Sequence, residues 1–317
     1  MKTKFVLTQL SLGGAVCLVA SLFTPASAPA QNLLLVSSAD GGNTITEITT
    51  NGTESTYASG LNNPHGLAYN SSGDLFVGCY DNQGGGGTSG TIIEIAPNGT
   101  QSTFASGLNS PYGLAFNSAG DLFAEDQGNE AIYEFTPGGA QSTFATGLSF
   151  PYALAFNSAG NLFASDQTAG NIYEYTPSGA RSTFASGLPG LTGLAFNSQG
   201  DLFAADQNNR NIYEFTPGGM QSTFATGLDF PQNLAFNAAG DLFEADGNSG
   251  DVNEFTSSGT ESTFATGLSH PFGLAVQPVP EASTWALMAT GAAGLLLCRR
   301  RFGKVRRWRV ASAFRAE

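Results

Sequence analysis

The central part of the sequence almost lacks basic residues. Between residues 31 and 278 there is no lysine, and the arginines there are Arg181 and Arg210. The same segment holds 23 of the 25 acidic residues, so its net charge is −21, whereas the whole 317-residue chain carries −13. A protein that binds a polyanion needs a basic face to release the counterions of its partner. The sequence therefore excludes nucleic acid as a partner and favours dissolved cations as companions of this segment.

Cysteine, histidine and tryptophan are scarce as well. The three cysteines, Cys17, Cys79 and Cys298, lie far apart, which excludes a disulfide framework and a cysteine-rich metal site. Phenylalanine and tyrosine are plentiful instead, with 24 and 9 copies spread along the chain. Low hydrophobicity with high charge, the signature of disorder, is therefore absent, and the chain is long enough to bury a large core.

The first 30 residues differ from the rest in composition. Lys2 and Lys4 precede an apolar run from Phe5 to Phe23, and small residues follow at 26–30. This order of basic, apolar and small residues predicts a secretory signal peptide over residues 1–30. The alternative is a membrane anchor that stays attached to the protein. On either interpretation the segment that follows is exported.

Residues 279–317 form a third segment, in which three features occur in order. They are a short motif at 279–285, an apolar stretch at about 282–298, and an arginine-rich tail at 299–317. The residues that define the motif and the start of the tail are Val279, Pro280, Glu281, Arg299, Arg300 and Arg301. Residues 286–298 alone are marginal for crossing a bilayer, so the predicted transmembrane stretch includes 282–285, and the arginines would hold the tail in the cytoplasm.

This order of features resembles the PEP-CTERM sorting signal of Gram-negative bacteria. The resemblance implies transient anchoring in the inner membrane and cutting near the motif by an exosortase-type processing enzyme. It also implies a final location at the cell surface or in the extracellular matrix. Ala282 stands where the family has a second proline, and 16 residues follow Arg301 where the family usually stops soon. The alternative is an ordinary C-terminal membrane anchor.

An internal repeat extends over residues 31–278, between the two terminal segments. The tripeptide Gly-Leu-Ala or a close variant recurs at intervals of 47, 40, 40, 40 and 40 residues. Its six copies begin at Gly66, Gly113, Ala153, Gly193, Asn233 and Gly273. Residues 111–150 and 191–230 are identical at 31 of 40 positions, so the units are close copies that share one conformation.

Each unit has the pattern of four short strands separated by turns. In one unit these are Leu114–Asn117, Asp121–Ala124, Ile132–Phe135 and Gln141–Ala145, and the turns supply glycine and proline. Apolar side chains at both parities indicate sheets covered on both faces, and helical spacing is absent. Six such sheets predict an all-β fold, a six-bladed β-propeller of four-stranded blades.

The two ends of the repeat predict a closed ring. The first unit lacks its opening strand and begins at Leu33–Val36, while Gly273–Val276 follows the last unit as an orphan strand. We expect this C-terminal strand to complete the first blade as its innermost strand. The alternative is an open β-solenoid, which would not need complementary half-units at its ends.

The repeat resembles the NHL repeat. The run Pro111–Asn117, followed by Gly120–Phe123 and Asp126, is similar to the family's order of Pro-x-Gly-Ile-Ala-Val-Asp, Gly-Asn, a hydrophobic pair and Val-Ala-Asp. The resemblance spans nearly all of residues 32–277. It implies the propeller architecture but leaves the function open, because NHL-like propellers include scaffolds, receptors for peptides or RNA, and enzymes.

The otherwise near-identical copies vary freely at the position directly before the Gly-Leu-Ala marker, in the loop that leads into each first strand. The residues there are His65, Tyr112, Tyr152, Thr192, Gln232 and Phe272. A mixed aromatic and polar ring around the central channel is a candidate ligand-binding site, suited to stacking on a sugar or holding a peptide. The alternative is that these positions vary without selection.

A second set of residues is acidic and begins the loop after each second strand. It consists of Asp126, Asp166, Asp206 and Asp246, with Asp40 and Asp81 near the corresponding places in the first two units. Carboxylates around one rim are candidate ligands for Ca²⁺, which takes six to eight oxygens. The competing interpretation is that each aspartate accepts backbone N–H bonds at a turn.

The sequence thus favours a non-catalytic binding or extracellular-matrix module for polysaccharide or a surface protein. No cofactor is required on this interpretation, with Ca²⁺ as the candidate ion. The alternative is a metal-dependent lactonase or other hydrolase, or a streptogramin-lyase-like enzyme, with its site in the central channel. The residues considered for such a site are the histidines His65 and His270 and an asymmetric acid pair, Glu125 and Glu244.

Overall fold

Short antiparallel strands make up almost all the regular structure that is described for this protein. The computed structural model describes residues 8–12, 15–19, 33–38, 43–80 and 90–278. Within them lie 26 strands and one 3₁₀ turn, Gln127–Asn129. The first two strands, β1 (Thr8–Leu12) and β2 (Ala15–Val19), pair with each other inside the predicted signal peptide. No helix within the described residues has the length and apolarity needed to cross a bilayer.

The other 24 strands form six sheets of four strands, which we name blades I to VI. Blade I contains β3 (Leu34–Ser38), β4 (Thr44–Ile48) and β5 (Glu54–Ser59). Blade II contains β6 (Pro64–Tyr69), β7 (Leu75–Cys79), β8 (Gly90–Ile95) and β9 (Gln101–Leu108). Blade III contains β10 (Pro111–Phe116), β11 (Leu122–Asp126), β12 (Ala131–Phe135) and β13 (Gln141–Thr146).

The remaining blades repeat the same pattern. Blade IV contains β14 (Pro151–Phe156), β15 (Leu162–Asp166), β16 (Asn171–Tyr175) and β17 (Arg181–Ser186). Blade V contains β18 (Leu191–Phe196), β19 (Leu202–Asp206), β20 (Asn211–Phe215) and β21 (Gln221–Thr226). Blade VI contains β22 (Pro231–Phe236), β23 (Leu242–Asp246), β24 (Asp251–Phe255) and β25 (Glu261–Ala265).

The last strand, β26 (Pro271–Val276), closes the ring. It pairs antiparallel with β3, with Leu274 opposite Val36 and Val276 opposite Leu34, so blade I has the strand order β26-β3-β4-β5. The predicted six-bladed propeller, closed by the C-terminal strand, is thereby confirmed.

The first strand of each blade begins earlier than the sequence predicted. In blade III it starts at Pro111, which pairs with Asp126, and the register shifts before Leu114 pairs with Ala124. This bulge hides the start of the strand from a search for regular alternation. The candidate ring residues therefore lie inside first strands, and their placement in loops was wrong.

Glycine in the Gly-Leu-Ala marker allows the first strands to converge on the ring axis. A Cβ on Gly113 would lie 2.9 Å from the Cα of Ala153 in the next blade, and one on Gly193 would lie 2.6 Å from the Cα of Asn233. A Cβ on Gly66 would collide with the carbonyl oxygen of Tyr112. The marker thus recurs because neighbouring backbones touch there.

Aromatic rings fill most junctions between neighbouring blades. At the junction of blades V and VI, Phe203 meets both Phe224 and Phe236 edge-to-face at 5.0 Å, and Phe224 lies 5.6 Å from Phe255. The equivalent rings repeat this arrangement between blades II and III and between IV and V. These pairs have the geometry that aromatic quadrupoles prefer, so the copied phenylalanines act as the core of the ring.

Candidate functional site

Five of the six predicted ring residues, all but Thr192, meet in the centre of the propeller. The ring centroid of His65 lies 4.3 Å from those of both Tyr112 and Phe272. Phe272 also reaches Tyr152, on the opposite side of the ring, at 5.5 Å. Phe272 belongs to blade I and Tyr152 to blade IV, so their contact crosses the central channel. The side chains therefore fill the channel at this level. We call the six residues together the channel plug.

The polar members of the channel plug are buried and hydrogen bonded. The hydroxyl of Tyr152 donates to Oε1 of Gln232, and that of Thr192 donates to the carbonyl of Pro231 at 2.8 Å. Thr192 is fully buried and Gln232 nearly so, while Tyr112 and Phe272 remain half-buried. Nδ1 of His65 lies 2.9 Å from the carbonyl of Asn63. The structure thus brings five of the six residues together, mainly as packing, while Thr192 bonds to backbone carbonyls of its own blade and the next.

The four candidate calcium ligands lie at the ends of second strands and bind backbone N–H groups. Asp166 accepts from Ser149 and Phe150 in the loop that joins two blades, at 2.7 and 3.2 Å, and from Ala169 in its own loop at 3.0 Å. Asp126 and Asp246 also accept from the loop that joins two blades and from their own loop. Asp206 accepts backbone N–H bonds from Asn208 and Asn209, both in its own loop. These hydrogen bonds hold the loops in place at the ends of the second strands. We call this side of the ring the loop face.

No group of three or more potential metal-binding side chains occurs in the part of the chain that the structure describes. Asp40 and Asp81, which completed the predicted rim, lie outside the described residues. Burial raises the pKa of Asp126, against the lowering effect of the N–H groups of Asn109 and Asn129. Calcium binding at this rim stays a prediction.

The two unusual glutamates do not form a pair. Glu125 and Glu244 are both completely buried, but they stand at different positions of their strands: Glu125 directly precedes Asp126, whereas Ala245 separates Glu244 from Asp246. Since side chains alternate along a strand, the two acids point to opposite sheet faces, in blades III and VI. The asymmetric acid pair considered for the alternative enzyme is therefore not formed.

Glu125 replaces a serine that joins neighbouring blades elsewhere. In blade IV the hydroxyl of Ser165 accepts from the N–H of Ala153 at 3.0 Å and donates to the carbonyl of Thr192 at 2.8 Å. Ser37 makes the same bridge in blade I. At Glu125 burial raises the pKa well above its ordinary value, with a further contribution from Asp166. Both carboxyl oxygens of Glu125 are buried, and neither makes the hydrogen bonds with which serine joins the blades.

Glu244 belongs to a buried polar pair in blade VI. Its Oε2 accepts from Nδ2 of Asn253 at 2.9 Å, opposite it on the next strand, where blades III to V have alanine and tyrosine. Burial raises the pKa of Glu244 to about 8, and the charges of Asp246, Glu261 and Asp251 add to this, against the hydrogen bond from Asn253.

Replacing Glu244 by glutamine should remove a pH-dependent loss of stability. Between about pH 4.5 and 8 the folded protein holds the proton of Glu244 while the unfolded chain has lost it. Stability therefore falls with rising pH by about 1.4 kcal/mol per unit from this group. We expect Glu244→Gln to unfold at a higher denaturant concentration than wild type at pH 8, and at a similar one at pH 4.5. Glu54→Gln, on the exposed strand β5, is the control and should parallel wild type.

The side of the ring opposite the loop face carries the turns between first and second strands, and we call it the turn face. A groove between neighbouring blades recurs on this face. Such grooves occur at junctions II–III, IV–V and V–VI, with volumes of about 220, 280 and 850 Å³. Each has two half-buried phenylalanines on its wall and one glutamate from a third strand: Glu94, Glu174 or Glu214. The sequence reasoning missed these grooves, although the repeated Phe and Glu were visible.

Family models match two parts of the chain. The NHL repeat model matches residues 61–83, and the model of the PEP-CTERM protein-sorting motif matches residues 278–301. The second match marks an exported protein of Gram-negative bacteria that is anchored in the membrane transiently and processed by an exosortase. The predicted motif and arginine residues lie outside the described residues.

Solved structures with the same fold are distant in sequence. A chain of a nidogen/laminin complex is 18% identical, with a TM-score of 0.69 over 78% of this chain and 99% of that one. A catalytically inactive virginiamycin B lyase from Staphylococcus aureus, solved with quinupristin, is 17% identical, with a TM-score of 0.59 over 86% and 97%. A streptogramin B lyase is 15% identical, with a TM-score of 0.59 over 85% and 90%. No curated protein matches the sequence. These likenesses show the fold alone.

Proposed function

We propose that this protein is sorted to the cell surface and acts there as a non-catalytic binding or matrix module for extracellular polysaccharide or another surface protein. The observation that carries the proposal is the recurrence of one groove at three blade junctions of the turn face. A repeated site suits a repeated ligand, because several weak contacts to one polymer combine into a stronger one.

The state of the channel also supports binding rather than catalysis. An asymmetric catalytic site in the channel would need open space beside reactive groups. At the level of the channel plug that space is filled by packed rings, and Thr192 and Gln232 are engaged in hydrogen bonds. The half-buried edges of Tyr112 and Phe272 are the part of the predicted ligand ring that a ligand at the loop face would meet.

The charge of the propeller narrows the partner. With 23 carboxylates and two arginines, the segment repels anionic polymers at low salt, so neutral or cationic surface polymers are favoured. Dissolved cations such as Ca²⁺ serve as counterions in this proposal, and no cofactor is required.

The test is retention of the exported protein on immobilised surface polysaccharide from the producing cells. We expect reversible retention that weakens with salt, because charge contributes to it. If the turn face is the binding surface, Tyr112→Ala should leave retention unchanged. If the ligand binds instead at the channel plug, Tyr112→Ala should abolish retention. The proposal is overturned if neither polysaccharide nor surface protein retains wild type, or if the protein with a divalent metal opens a lactone or a streptogramin.

A further inference from the structure

The groove between blades V and VI differs from its copies in volume. It encloses about 850 Å³, against about 280 Å³ at IV–V and 220 Å³ at II–III. Pockets that bind small molecules usually enclose about 300–1,000 Å³. Of the three grooves, the one at V–VI lies within this range.

One substitution explains the extra room. In blades II to V the turn between third and fourth strands contains a proline that packs on the glycine of the neighbouring turn. A Cβ built on that glycine would lie 3.7–3.9 Å from the proline ring at Gly73, Gly120, Gly160 and Gly200. Blade VI has Ser257 in place of the proline, and a Cβ on Gly240 would have no atom within 4 Å. The proline that narrows the other grooves is thus missing at V–VI.

The carboxylates of the V–VI groove differ from those of the IV–V groove, whereas blade II carries the equivalent acids Asp74 and Glu94. Blade V supplies Asp201 and Glu214 to its lining. In blade IV the equivalent of Asp201 is Asn161, which donates to the equivalent glutamate, Glu174, at 2.7 Å. Glu214 instead accepts a bond of 3.4 Å from Ser222, and Asp201 one of 3.0 Å from Asn197. Two acids without an amide between them, in a groove lined by no lysine or arginine, favour a ligand with a positive charge.

The rest of the lining fits a saccharide. Phe224 and Phe236 are half-buried, so each ring keeps an accessible surface on which the C–H groups of a sugar can pack. Gln199, Ser257 and Ser258 are exposed at the rim and offer donors and acceptors to hydroxyl groups.

We propose that the V–VI groove binds an amino-sugar unit of a polysaccharide, with its protonated amine between Asp201 and Glu214 and its ring on Phe224 and Phe236. This inference rests on the proposed function and names its site and ligand class. The II–III and IV–V grooves are smaller and add weaker contacts to the same polymer.

The experiment is a titration calorimetry series at pH 6 with the exported protein and a hexamer of β-1,4-linked glucosamine. Wild type should bind one hexamer per protein, and Ser257→Pro should weaken binding at least about tenfold by restoring the narrowing proline. Because four blades carry proline at this place, the variant should fold, which thermal melting checks. Asp201→Asn should also weaken binding about tenfold through the lost ionic hydrogen bond.

A matched variant tests the reverse change. Pro217→Ser combined with Asn161→Asp gives the IV–V groove the two features of V–VI, and the stoichiometry should rise from one to two. If the hexamer binds Ser257→Pro as tightly as wild type, the groove is wrong while the proposed function stands. If the N-acetylated hexamer binds as tightly as the glucosamine hexamer, the amino-sugar assignment is overturned. It is also overturned if a lysine-rich peptide binds and neither hexamer does. If no surface polymer binds wild type, the proposed function fails as well.

Discussion

A chain that ends at Leu268, and so lacks β26, is expected to lose its cooperative unfolding transition. The strand supplies the innermost position of blade I and pairs with β3 along Leu34–Val36. Its removal exposes Leu34, Leu35 and Val36, which are at most 2% exposed in the closed ring, and deletes Leu274 and Ala275. Burial of an aliphatic side chain contributes about 1.5–3 kcal/mol, so the loss is comparable with the whole stability of a domain, about 5–15 kcal/mol.

The matched control is a chain that ends at Pro278. It lacks the same C-terminal tail but keeps β26, so it should unfold in one transition close to that of the longer protein. Circular dichroism during thermal or denaturant unfolding, together with limited proteolysis, distinguishes the two chains. If both truncated chains melt alike, the C-terminal strand does not hold the ring closed.

The architecture could be predicted because each of its parameters is a count along the chain. The six copies of the marker predict six blades, and the two incomplete units at the ends of the repeat predict that the ring is closed. The beginning of each first strand could not be read this way, because the bulge after Pro111 breaks the alternation that a strand prediction uses.

The candidate site was harder to predict, because the distance between side chains on opposite sides of the ring depends on the radius of the ring. Tyr152 and Gln232 are 80 residues apart, and nothing local tells that their side chains meet across blade V. The orientation of Glu125 and Glu244 was different: counting from Leu122 and Leu242 already gives opposite parities. Ser257 was also visible as a change from the usual proline, but its effect depends on the empty space beside Gly240.

Replacing Pro280 and Glu281 by alanine is expected to leave the C-terminal tail on the mature protein. The sorting-motif model matches residues 278–301, and cutting near the motif is the step that separates the propeller from the membrane. The variant should accumulate in the membrane fraction at the higher mass, with almost none released. Mass spectrometry of the mature protein and fractionation of the cells measure both effects.

The control for this variant is Ala282→Pro, which supplies the second proline of the family motif and should be processed at least as well as wild type. The apolar stretch at about 282–298 would rise only about 25 Å as a helix, less than the bilayer core of about 30 Å. The arginines from Arg299 onward are expected to hold the tail in the cytoplasm. An unaltered mature mass in the alanine variant would contradict this mechanism and would leave the segment as an ordinary anchor.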